Sequence, residues 1–449
     1  MITLYWASVF ATVAAMFATG LSAVPALPGG GARHPAQTEP ASRVYVEPSD
    51  GSVFAGDALR FHARIIGGTV GAETVRWSAF GAGTIDGAGV FSAPPLPGAF
   101  ASVVATIGAD AGGARVTVVG PPPQGAEQAV VACYSDGSLE VRGAYDAPAF
   151  GRLAVGDEAG GVAITGDATS ALASSGDRVA SVEFSSMIPR TSAPLTGAQF
   201  GEVAVLAGGR FAAVTNANAG SDGAGIAIFR LRRGDAPRLA STASVGETPE
   251  GIVVDADGRT MYVAAVNGNV VTRLVLRDDG QTRKTGSVRT GTRPFGVAVD
   301  TRHHLLLVAD NDTPTLSGAQ SQPGLEAFSL PTMRRVGSPV STGSPNALPL
   351  GVAVDSGVSR LFVTNEGDDD VAVYSLPSLR REATLRVGRT PWLPSVDVRR
   401  HLLYVPNARD DTLDIFDTRT LARVKGGIAS CSYPVGVAVR SAKINRPNR

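Results

Sequence analysis

The run Asn365-Glu366-Gly367-Asp368-Asp369-Asp370 places four carboxylates between two short apolar segments. Oxygen ligands at that density are the chemistry of a calcium site, which takes roughly six to eight of them. Calcium loops alternate ligands with spacers, however, and side chains on adjacent residues of an extended segment diverge. Asn, Asp and Gly are also what a tight hairpin loop requires, because they accept positive φ and bond their own backbone. The run is therefore read as a turn, and no metal site is expected.

The other chemical residue types are sparse. Histidines number five. His34 and His62 lie in the N-terminal part. His303, His304 and His401 fall in turns at the opposite strand ends from the acidic loops, so they are expected to be exposed turn residues that join no His/acid triad. No G-x-S-x-G elbow, zinc-type Cys/His cluster or phosphate loop occurs. Accordingly no catalytic residue is assigned and no cofactor is expected.

One set of residues could still line a binding surface. Proline recurs at Pro249, Pro294, Pro349, Pro391 and Pro434, each just ahead of a strand-like run. Proline fixes its own backbone and presents its neighbours rigidly. Those neighbours include Glu250, Arg293, Phe295, Leu350, Trp392 and Tyr433. Aromatics with one acid and one base in a concavity suit a small polar ligand or a peptide. The alternative is that they pack together and plug the opening.

What positions them is a repeat. The segments Gly251–Asp255, Gly296–Asp300, Gly351–Asp355, Leu393–Asp397 and Gly436–Arg440 read GIVVD, GVAVD, GVAVD, LPSVD and GVAVR. Second apolar runs follow (MYVAAV, LLLVAD, LFVTN, LLYVPN), then third runs (VVTRLVL, LEAFSL, VAVYSL, LDIFD) and a more polar fourth. Four strands recurring about every forty-five residues is the signature of a propeller blade. Fainter copies precede them, with first strands around Val162 and Val203. The segment Ala129–Gly143 has no first strand, and Val437 has no second strand after it. Joining those two fragments gives a count of seven and removes two open sheet edges. Cys133 and Cys431 then fall at the same end of that composite blade. In an exported chain such a pair is expected to be bonded.

Ahead of the repeat, six strand-like runs between Arg43 and Gly120 alternate apolar and polar residues, which suggests a small β-sandwich. Residues 1–26 are uncharged and apolar, and read as an export signal or, if retained, a membrane anchor. Residues 27–42 read as a linker, 121–126 as a Pro-rich hinge, 127–443 as the propeller and 444–449 as a disordered tail. Lys plus Arg and Asp plus Glu both total 40. Zero net charge without a basic stripe argues against nucleic acid.

The order VRWSAFGAGTIDGAGVFSAPPLPG within Arg43–Gly120 resembles the bacterial Ig-like modules of exported proteins, which implies a spacer or adhesion-type unit. LFVTNEGDDDVAVYSLPSL and LLYVPNARDDTLDIFDTRTLARV resemble the YVTN-repeat propellers, a branch close to the lactonase-like propellers, which implies a seven-bladed ring across about Glu127–Lys443. Fold alone does not imply an activity. The expectation is an exported, periplasmic or secreted, all-β protein: a seven-bladed propeller behind an Ig-like sandwich. Its mouth, around Glu250, Arg293, Phe295, Trp392 and Tyr433, binds an envelope or extracellular protein or a small polar ligand without catalysis. The alternative is a lactonase-like hydrolase of a sugar lactone or related ester.

Overall fold

The computed structural model describes residues 43–47, 50–66, 75–108, 110–120, 128–143, 149–220, 223–311 and 324–440. The signal, linker, Pro-rich hinge and tail assignments lie outside these residues. The described chain is almost all β, with two single-turn 3-10 segments, Ala207–Gly209 and Ala408–Asp410.

From Gly161 onward, consecutive strands form six antiparallel four-stranded sheets in simple meander order, the last being Ser395–Asp397, Leu402–Asn407, Thr412–Asp417 and Arg423–Ala429. Second and third strands such as Leu305–Asp310 are buried along their whole length. They are covered on both faces by neighbouring sheets, which is why they read as unbroken apolar runs rather than alternating ones. Outermost strands such as Arg380–Arg386 are largely exposed and carry the polar residues.

The remaining four-stranded unit is built from both ends of the repeat. The last strand, Pro434–Arg440, pairs antiparallel with Gln128–Cys133, which pairs with Ser138–Gly143 and then Ala149–Ala154. The first strands of successive sheets touch in order, and Pro434–Arg440 touches Gly161–Ile164, so the series closes on itself. Cys133 and Cys431 are bonded and fully buried. The C-terminal strand is therefore held by its ladder and by a covalent bond.

The N-terminal unit has its own core, including Val53, Leu59, Phe61, Phe91, Val103 and Val116. It is not an independent spacer. Its strand Asp50–Phe54 lies parallel to Asp110–Val119 on one side and to Ala149–Ala154 on the other, so one sheet runs from this unit into the composite one. Phe54 is buried in the composite unit's core with Leu139 and Leu153. Arg60 adds an ion pair to Asp157 at 3.0 Å.

Glycine in the first strands sets how closely the sheets approach. A Cβ on Gly251 would collide with the Phe295 carbonyl of the next first strand, and one on Gly296 with that of Leu350. Only glycine permits such close approach of two backbones.

Replacing Cys133 and Cys431 together by Ser is expected to lower unfolding stability by about 2–5 kcal/mol, since the bond closes a loop spanning 298 residues. Urea unfolding of the variant beside the parent checks this. An unchanged midpoint would mean that the strand ladder alone holds the ring shut.

Candidate functional site

The rim is built from one corner repeated around the axis. Three first strands carry a β-bulge near their start, between Pro249 and Ile252, Pro294 and Val297, and Pro349 and Val352. Bulges re-aim side chains, and here the bulged residues are Glu250, Phe295 and Leu350. The residue before each proline has left-handed φ: Thr248, Arg293, Leu348, Thr390 and Tyr433. Non-glycine residues rarely adopt that conformation.

Backbone hydrogen bonds hold it. The carbonyls of Thr248, Arg293, Leu348, Thr390 and Tyr433 accept the N–H of Val266, Asn311, Glu366, Ala408 and Tyr134 respectively. Those five donors each follow the end of a second strand. On the other side of the corner, Asn269, Asp369 and Asp411 accept the N–H of Arg293, Thr390 and Tyr433 at 2.8 Å each.

The acidic run makes hydrogen bonds to neighbouring segments. Asp368 accepts from the Ser344 backbone and hydroxyl, Asp369 from Thr390, and Asp370 from Asn365. Asp368 and Asp369 brace backbone N–H groups, and Asp370 the Asn365 side-chain amide. No group of three or more His, Cys, Asp or Glu among the described residues is placed to hold a metal ion.

Glu366 does something different. It occupies the same corner position as Tyr134, its N–H on the Leu348 carbonyl, whereas Asp369 braces the next corner at Thr390. Burial pushes its pKa up to about 7, with Arg409 pulling down and Asp369 adding to the rise. Burial and the Glu366 charge push Tyr433 to about 12, against Arg409. Tyr134 is raised further by burial, by Glu158, to which its hydroxyl is hydrogen-bonded, and by Tyr433 and Glu250. The ring centroids of Tyr134 and Tyr433 lie 6.2 Å apart, and those of Trp392 and Tyr433 6.3 Å apart.

Of the residues expected at the mouth, Trp392 and Leu350 are buried, while Phe295 and Tyr433 are half-buried and pack in the same cluster. Glu250 is buried, and Arg293 is half-buried. The aromatics therefore pack against one another, and the Trp392 indole Nε1 is buried without a hydrogen-bond partner. Glu366, Glu158, Glu250 and Arg409 form a cluster of acids with one base around the two tyrosines.

Below the rim, a channel of about 170 Å³ is lined by first-strand residues including Val162, Val203, Ile252, Val297 and Val352. Glu202 is the one ionisable side chain in that lining. It stands at the bulge position where other first strands have Gly251, Gly296 and Gly351. Its carboxylate accepts the Ile252 N–H at 3.0 Å, and burial pushes its pKa from 4.5 to about 7.

His304 is exposed as expected, while His303 and His401 are less exposed. His303 Nδ1 meets the buried Asp300 at 2.5 Å and His401 Nδ1 the buried Asp355 at 2.9 Å, each ring being half-buried. These pairs brace the turns far from the mouth. His62 does come near acids. It borders a cleft of about 530 Å³ between the N-terminal unit and the composite sheet, with Asp136, Arg152 and Asp411 also in the lining. No ion pair among the described residues joins His62 to either aspartate.

Comparison with known proteins gives the fold. No protein-family profile matches the chain, and neither does any curated protein. Among solved structures, it resembles a Bacteroides uniformis protein assigned as a 6-phosphogluconolactonase, with TM-score 0.59 and 14% identity over 71% of this chain and 100% of the other. It is similar to the periplasmic gluconolactonase of Pseudomonas aeruginosa, with TM-score 0.57 and 14% identity over 70% and 99%. It also resembles hydrazine synthase of Kuenenia stuttgartiensis, with TM-score 0.52 and 14% identity over 63% and 90%. These likenesses show a propeller-like fold, and their different activities carry no assignment.

Glu202→Gln tests the channel acid. Its folded pKa lies above the unfolded one, so ionisation opposes folding: the penalty is absent below about pH 4.5 and complete above about pH 7. The variant is expected to be more stable than the parent by up to about 3 kcal/mol at pH 8–9 and equal to it near pH 4. Urea midpoints at the two pH values report this. An equal effect at both would remove the desolvated carboxylate as the cause.

Proposed function

We propose that this chain is an exported, seven-bladed β-propeller of the lactonase-like kind, related to the YVTN-repeat branch and carrying an Ig-like sandwich at its N-terminus, that hydrolyses a sugar lactone or related ester at the propeller mouth. The observation that carries the reading is the Glu366 carboxyl at about pKa 7, set beside Arg409 and the Tyr433–Trp392 aromatic pair. General-base catalysis works best when the base's pKa lies near the operating pH. The solved lactonases of like fold support the same reading.

In this mechanism the ionised Glu366 takes a proton from water as the water oxygen adds to the lactone carbonyl carbon. The charge that develops on the carbonyl oxygen needs donors already in place, and the Arg409 guanidinium and the unpartnered Trp392 N–H are the groups of that kind here. The ring C–O bond then breaks and the proton passes to the departing ring oxygen. Glu250, Arg293 and Phe295 hold the sugar against Tyr433. The buried Cys133–Cys431 bond is compatible with export, and no helix among the described residues is long and apolar enough to cross a membrane.

The reading in which the mouth binds a partner without catalysis draws on the same surface, and activity separates the two. Purified protein is expected to open an aldono-lactone. Glu366→Gln should lower kcat at least about a hundredfold, while Glu250→Ala and Arg293→Ala raise KM. Because the base must be ionised, kcat/KM should fall about tenfold per pH unit below about pH 7. Lactone opening at the uncatalysed rate would leave only the binding role.

A further inference from the structure

Four first strands end on or just before an aspartate, at the strand ends far from the mouth: Asp255, Asp300, Asp355 and Asp397. Three of these are buried and meet a base. Asp300 pairs with His303 at 2.5 Å, Asp355 with His401 at 2.9 Å and Asp397 with Arg400 at 2.8 Å. Asp255 is half-buried, accepts the Ala256 N–H at 2.7 Å and joins no ion pair among the described residues.

The difference extends across the joint between sheets. Where residues 349–386 meet residues 395–429, the charges are matched. His401 and the Thr418 hydroxyl both reach Asp355, and Arg360 caps the Thr418 and Arg419 carbonyls while pairing with Glu382 at 2.8 Å. Residues 249–289 meet residues 294–341 in the same manner with the partners changed. His304 holds the place of His401, left-handed and just ahead of a second strand, but it is exposed and makes no ion pair among the described residues. Leu330 donates its N–H to the His304 carbonyl as Thr418 does to that of His401, and has no hydroxyl to offer. Arg273 caps the Leu330 and Pro331 carbonyls at 3.0 and 3.3 Å, yet its other bonds go to the Thr285 hydroxyl at 3.0 Å and the Thr285 carbonyl at 3.3 Å. All four acceptors are neutral.

A groove of about 650 Å³ opens at this joint. Its charged or titratable lining is Asp255, Arg273, Arg283 and His304, with Val275 and Leu330 among the apolar part. Arg283 is exposed and, like Arg273, has no carboxylate partner among the described residues. The nearby Asp257 is taken up by the Arg259 and Thr260 N–H groups and the Thr260 hydroxyl. The groove thus holds unpaired charge of both signs, which a guest carrying both would match.

We propose that this groove is a binding site for a small zwitterion of the amino-acid type, its ammonium on Asp255, its carboxylate on Arg283 beside the Arg273 charge, and an apolar side chain along Val275 and Leu330. Guanidinium and carboxylate match in geometry as well as charge. The site is remote from the mouth and does not depend on the hydrolase reading.

Equilibrium dialysis of the full chain against labelled L-leucine tests this. Isoamylamine, which keeps only the ammonium, and 4-methylpentanoate, which keeps only the carboxylate, serve as competitors. Each should displace leucine only at concentrations about tenfold or more above that of unlabelled leucine. Asp255→Asn and Arg283→Ala should each weaken leucine binding about tenfold or more. Thr285→Glu, which gives Arg273 the kind of partner that Arg360 has in Glu382, should weaken it too. Urea midpoints establish that the variants fold, and the competitor series on the parent chain decides the matter where one does not. Failure of leucine to bind, displacement by a singly charged analogue at equal concentration, or full affinity in both Asp255→Asn and Arg283→Ala would each overturn the proposal.

Discussion

A β-strand with an open edge offers unpaired N–H and C=O groups to any other chain, and a series of sheets around an axis has no edge at its inner seam only if its two ends meet. Here they meet through Pro434–Arg440, laid against Gln128–Cys133. The channel, the rim corner at Tyr433 and the seat of Tyr134 all follow from that pairing, because Tyr134 donates to the Tyr433 carbonyl across the seam. Without it, the two tyrosines would belong to separate ends of the chain. The disulfide beside them adds the covalent half of the same closure.

Around that frame, two carboxyls are held where water cannot fully solvate them. Glu202 replaces a glycine that elsewhere lets first strands touch, and its acid finds a backbone N–H of the neighbouring strand. Glu366 replaces residues such as Val266 and Ala408 at the corner. Both cost the fold something in ionised form. Glu202 brings no aromatic pair with it, whereas Glu366 lies beside one, and this contrast sets the chemistry at the mouth rather than in the channel.

Much of the architecture was legible in the residues. The repeated GVAVD-type runs placed the first strands, and the incomplete unit at Ala129–Gly143 pointed to a partner at Val437. Cys133 and Cys431 followed from that alignment. The site was harder to read. Attention to the prolines led to Glu250, Arg293 and Trp392, but the residue after each second strand carries the other half of the corner. Aligning LFVTNE with VVACY would have put Glu366 and Tyr134 in one ring. His62 shares a cleft with Asp136 and Asp411 only because Asp50–Phe54 joins the composite sheet. No local pattern encodes that parallel pairing, since it depends on contacts between segments about a hundred residues apart.

The rim corner also separates recognition from folding. Its left-handed residues are held through their own amide and carbonyl groups, and the bulge that follows is set by backbone register. The side chains at 248, 293, 348, 390 and 433 therefore differ freely (Thr, Arg, Leu, Thr, Tyr) on one shared geometry. The mouth is a set of like sockets, and a lineage can refit it one position at a time without rebuilding the walls that hold them.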